Sequence, residues 1–154
     1  MILKVLQAFK SELEKALGED NNATPVILAP MAKGGNPSSE AIVVTLLTIE
    51  EEGMLRNSPS FVRATAGEER KSALPYNLYT MVSADFTNYD NALQKISAAL
   101  QQVNKMPRLT LDENNHILID FISLNLNTNL EMIHSLNPGR IPYFLLKFKI
   151  VPGP

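Results

Sequence analysis

The sequence predicts an α+β domain in which two main helices and one short helix pack on a single mixed β-sheet. Apolar residues recur at steps of three and four in two separate stretches, whereas several shorter runs alternate or are continuously β-branched. Neither a linker nor an internal repeat divides the chain, so residues 1–154 read as one domain. A domain of that size can bury roughly 70% of the surface its unfolded chain exposes.

The first helix carries Ile2, Val5, Leu6, Phe9, Leu13, Ala16 and Leu17 on one face and Lys4, Lys10, Glu14 and Lys15 on the other. Gly18 supplies the left-handed residue that commonly ends a helix. After a polar loop from Glu19 to Thr24, Pro25 opens a short apolar strand, Val26 to Ala29, and a loop rich in Gly and Pro follows. Ala41 to Glu50 is the strongest strand, because Ile42 through Ile49 are nearly all β-branched or aliphatic. A run of that length predicts cover on both faces. From Gly53 to Pro75 periodicity disappears, and a stretch this long without a pattern tends to be functional or mobile.

Tyr76 to Ala84 resumes as a strand. Thr87 and Asp90 have the spacing of a capping box, in which a hydroxyl and a carboxylate satisfy the first backbone N–H groups of a helix. Tyr89, Leu93, Ile96, Leu100 and Val103 give that helix an apolar stripe that reads as core, and Pro107 ends it. Leu109 and Leu111, the turn Asp112 to Asn115, and the run from His116 to Leu126 form a hairpin. Thr128 and Glu131 repeat the capping spacing ahead of Leu130, Ile133 and Leu136, in a short helix ending near Asn137, Pro138 and Gly139. In the last run, Tyr143 to Val151, Phe144, Leu146, Phe148 and Ile150 alternate with Lys147 and Lys149, as in a strand with one wet face that Pro152 stops.

Composition narrows the function. Lys and Arg total 14 against 16 Asp and Glu, a net charge of -2 that offers no field for nucleic acid phosphates or an anionic membrane. With no cysteine there is no disulfide framework, thiolate nucleophile or sulfur-ligated zinc. Lys4, Gln7, Lys10 and Glu12 interrupt the N-terminal apolar residues before a signal-peptide core can form. No apolar run approaches the ~20 residues that span a bilayer.

Catalytic groupings are weak. The two histidines, His116 and His134, are not at a spacing that sets two ligands on one helix face. Asp112, Glu113 and Asp120 lie near His116, but Asp, Asn and Glu at that point are what a turn requires, so no metal site is expected. Glu50, Glu51 and Glu52 read as a solvated strand end. Ala32 to Gly35 lacks the Gly-Lys-Ser/Thr ending and following helix of a phosphate loop. Without a nucleophile paired to a base, neither an enzyme nor a cofactor is expected. The segment Glu50 to Asn57 has two readings: a loop that simply leaves the core, or an anchor in which Arg56 and Asn57 bind carboxylates or backbone carbonyls of the loop or of a neighbouring chain.

The strand and its exit, Val43 to Asn57 with its Leu-Arg-Asn ending, resemble a known family motif. A second match is Leu74-Pro75-Tyr76-Asn77-Leu78-Tyr79, followed by Ala84-Asp85-Phe86, Tyr89 and Ala92-Leu93. With the N-terminal amphipathic helix and the closing Pro142-Tyr143 strand, these resemble the N-terminal domain family of the cap, or tail terminator, proteins of virulence-cassette and antifeeding-prophage contractile injection systems. His134 stands where family members often carry Trp, and Gln101 to Asn104 replaces an aromatic-rich segment.

The resemblance implies a tail-terminator-like fold and a structural role: a homo-hexameric ring that sits on the inner tube and sheath and stops their growth. It implies sheath and tube proteins as partners, no nucleic acid, no membrane, and assembly in the cytoplasm of a particle that can be released. Such a cap needs an exposed strand edge or long loop to engage its partners through main-chain hydrogen bonds. The candidates are the final strand and the loop from Gly53 to Pro75, with Arg56, Asn57, Arg63, Arg70, Lys71, Lys147 and Lys149 as partner contacts. The competing reading is a monomeric adaptor or ligand-binding module without catalysis.

Overall fold

The computed structural model describes residues 1–18, 24–30, 39–51, 76–123, 125, 127–128, 131 and 141–152. In chain order the elements are α1 (Ile2–Gly18), β1 (Val26–Leu28), β2 (Ala41–Glu51), β3 (Tyr76–Asp85), α2 (Tyr89–Asn104), β4 (Arg108–Thr110), β5 (Asn115–Ile122) and β6 (Tyr143–Pro152). The strands form one six-stranded sheet in the order β1-β2-β3-β6-β5-β4. β1 runs parallel to β2 and every other pair is antiparallel, which makes the sheet mixed, as the sequence predicts.

Alternation along the strands decides which face the helices cover. On α1, Val5, Leu6, Phe9, Leu13 and Leu17 are buried. They join Ile42 and Val44 of β2, Leu78 and Val82 of β3, and Leu146, Phe148 and Ile150 of β6 in one core. At its centre the Phe9 and Phe148 rings meet at 4.8 Å, tilted by 54°. Each such side chain stabilises the fold by roughly 1.5–3 kcal/mol on burial. Ala41 through Thr45 are buried consecutively, so both faces of β2 are covered there. A bulge between Leu46 and Thr48 then shifts the register, and residues 48–51 are exposed.

Four local expectations change. Gly18 stays in the helix without a left-handed φ. The cap of α2 is Asn88, whose side chain accepts from the Asn91 backbone N–H; Thr87 instead donates to Glu40, so Thr87 and Asp90 form no capping box. The α2 stripe is displaced: Ala92, Ala99 and Val103 are buried and Ile96 packs at their margin, while Tyr89, Leu93 and Leu100 are exposed. Small residues face the sheet because a Cβ methyl lets the helix backbone approach closely. β5 ends at Ile122, short of the predicted Leu126. The predicted short helix lies almost wholly outside the described residues; at its start the Asn125 side chain accepts from the Thr128 backbone N–H at 2.8 Å.

Candidate functional site

Two sheet edges are only partly covered by their outer strands. β1 pairs with Ile42, Val43 and Val44, whereas β2 runs on to Glu51. At the other edge β4 pairs with His116, Ile117 and Leu118, and Pro107 O accepts from the Ile119 N–H, whereas β5 runs on to Ile122. Glu51 lies opposite Tyr76 at one end of the sheet, and Ile122 lies opposite Leu145 near the other. The two ledges therefore occupy diagonally opposite corners, and no described strand lies along either. Very short outer strands are a common way to blunt an edge, and a ledge beside one is where an added strand can pair.

The final strand does not supply an edge. β6 lies between β3 and β5, and both sides of its backbone are taken up by pairing, so the expected main-chain docking there is overturned. Lys147 and Lys149 stand on this central strand, on the partly wet face that their alternation predicts. Both are half-buried and point away from the core face that carries Phe148. Lys147 lies between Tyr79 and Asp120, and Lys149 between Asn77 and Leu118. In the same area the Tyr79 hydroxyl donates to the Glu50 carboxylate, a diagonal pair across β2 and β3. Arg56, Asn57, Arg63, Arg70 and Lys71, with the whole loop from Gly53 to Pro75, lie outside the described residues.

The acidic turn near His116 is occupied by structural contacts. The Asp112 carboxylate accepts from the Asn114 backbone N–H at 2.9 Å, from the Asn115 amide at 2.9 Å and from the Lys4 ammonium at 3.2 Å. These donors, the Asn114 N–H foremost, hold its pKa below the usual carboxylate value. Among the described residues no three His, Cys, Asp or Glu side chains are grouped to hold a metal ion. A cleft of about 190 Å³ between α1 and α2 is lined by Ala16, Leu17, Thr24, Gln94, Lys95, Ala98 and Gln102, with Lys95 donating to the Thr24 hydroxyl at 2.9 Å. Small-molecule sites are typically about 300–1,000 Å³. Among the described residues no helix is long and apolar enough to cross a membrane.

The described residues thus form an α+β module whose accessible features are sheet edges and an exposed helix face. The Pvc16 N-terminal domain model matches residues 4–140, and the chain belongs to that family. It is also similar to a solved structure of the PVC sheath/tube terminator, from an extracellular contractile injection system in the extended state. That likeness has a TM-score of 0.63 at 16% identity and covers 100% of this chain and 57% of the terminator chain, so this chain spans little more than half the length of that protein. No curated protein matches the sequence.

Proposed function

We propose that this chain is a structural subunit that ends tube and sheath growth in a phage-tail-like contractile injection system. The observation that carries the proposal is the likeness of the whole chain to the sheath/tube terminator fold, and membership of the Pvc16 N-terminal domain family supports it. On this reading residues 1–154 act as one domain in a homo-hexameric ring, with sheath and inner tube proteins as partners. Nucleic acid and membrane play no part. The role makes and breaks no covalent bond. Assembly takes place in the cytoplasm and the finished particle can leave the cell.

The part-covered edges of β2 and β5 give the proposal a physical route, because an arm from a sheath subunit can add as a strand beside either ledge. The loop from Gly53 to Pro75 is the second route, with Arg56, Asn57, Arg63, Arg70 and Lys71 as its contacts. Lys147 and Lys149 supply side-chain contacts from the sheet face. The test is removal of Pro59 to Ser72 from the full-length protein in a particle-producing strain. Circular dichroism and melting of the purified variant are expected to match wild type, while particles grow without a defined length. Capped particles of normal length in that strain would overturn the loop assignment.

A further inference from the structure

We infer that the outward face of α2 is a contact between two copies of this chain, with the two α2 helices antiparallel. Tyr89, Leu93 and Leu100 are 62%, 41% and 38% exposed on this helix. Between Asp90 and Lys105 its one charged residue is Lys95, which turns toward α1 and bonds Thr24. The remaining exposed positions are Gln94, Ser97, Gln101 and Asn104, all uncharged. α1 is the opposite case: its outward face carries the ion pairs Lys10–Glu14 and Lys15–Glu12. Depletion of charge around exposed apolar and tyrosine side chains is the composition of an interface core.

The pattern selects a second copy as the occupant because it is complementary to itself. Asp90 lies in the first turn of α2 and Lys105 at its C-cap, both are exposed, and neither forms an ion pair among the described residues. At a rise of about 1.5 Å per residue they stand roughly 22 Å apart along the helix. An antiparallel copy brings each Asp90 beside the partner's Lys105. Leu93 and Leu100 are centred between Ile96 and Ser97, and Asp90 and Lys105 between Ser97 and Ala98. A two-fold axis beside Ser97 therefore brings each leucine to within about one residue, roughly 1.5 Å, of the other leucine of the second copy and each Asp90 equally close to the partner's Lys105. The small Ser97 then lies at the crossing. Asp90 and Lys105 also suit the dipole of their own helix, but that leaves the uncharged middle unexplained. A two-fold contact cannot close a ring, so this surface is separate from any ring contact and does not depend on the terminator role.

Sedimentation equilibrium of the purified protein from about 1 to about 100 μM tests the inference. Wild type is expected to show a monomer–dimer equilibrium. Leu93→Gln with Leu100→Gln should raise the Kd by about tenfold or more at unchanged melting temperature, since both side chains are exposed. Asp90→Lys alone and Lys105→Asp alone should each weaken the dimer. An equal mixture of the two variants should restore it, because every charge pair in the mixed dimer is again of opposite sign. A wild-type monomer throughout the range overturns the proposal, as does self-association unaffected by the leucine pair or a mixture no tighter than either variant alone.

Discussion

The Glu40 carboxylate accepts two hydrogen bonds from Thr87, one from its backbone N–H at 2.8 Å and one from its hydroxyl at 2.6 Å. Close by, Asp85 takes the same two bonds from Ser39, at 3.0 and 2.8 Å. The paired clasp ties the entry to β2 to the exit from β3, immediately before α2. Glu40 also has φ 50, in the left-handed region that costs a residue with a side chain roughly 1–2 kcal/mol. Glu40→Gly loses the clasp but relieves the backbone, whereas Glu40→Ala loses the clasp and keeps the strain. Urea unfolding is expected to rank wild type above the glycine variant, and glycine above alanine by about 1 kcal/mol. An alanine variant as stable as the glycine variant contradicts this account of Glu40.

Asn88, and not Thr87, satisfies the first turn of α2. Asn88→Ala is expected to lower stability by about 1 kcal/mol. Asp90→Asn should cost less, because it leaves the side-chain cap intact. Equal losses in the two variants would restore the capping-box assignment.

The displaced face of α2 makes an unequal pair of predictions from adjacent residues. Ala99 is fully buried and Leu100 is not. Ala99→Leu should therefore destabilise by about 1–3 kcal/mol through overpacking, and Leu100→Gln should stay within about 0.5 kcal/mol. Phe9→Ala, which removes a ring packed at a tilt against Phe148, should cost about 3–5 kcal/mol. Chemical denaturation of the three variants checks the order.

Much of this architecture is legible in the sequence, for identifiable reasons. The β-branched run of β2, the alternation of β6 and the turn at Asp112 each carry a local signal strong enough to place the element. Strand order is different, because it depends on which strands meet across the whole chain. The alternation of Lys147 and Lys149 marks one face of β6 and carries no signal for its central place in the sheet. The α2 face was hidden for a related reason: periodicity weights large residues, while the packing is done by Ala92 and Ala99 and leaves Leu93 and Leu100 outside. The unequal lengths of β1 and β2 were visible, but that mismatch becomes a ledge only once the two strands are known to be neighbours.

Asp112 gives a pH signature. Its pKa is depressed in the fold, so the stabilisation is present above the ordinary carboxylate value of about 3.9 and is lost as pH falls through the depressed one. Asp112→Asn keeps an acceptor for the Asn114 N–H but removes the charge. It should lower the melting temperature at neutral pH, with the difference from wild type closing at acid pH. A difference that stays constant from neutral to strongly acid pH would show that the charge is not involved.

The length distribution of injection particles, read by negative-stain electron microscopy in a strain lacking this protein and in the same strain with the full-length protein restored, tests the terminator role most directly. The expected result is tubes and sheaths of uncontrolled length in its absence and a single sharp length class on its return. Particles of normal, uniform length without it would contradict the proposal.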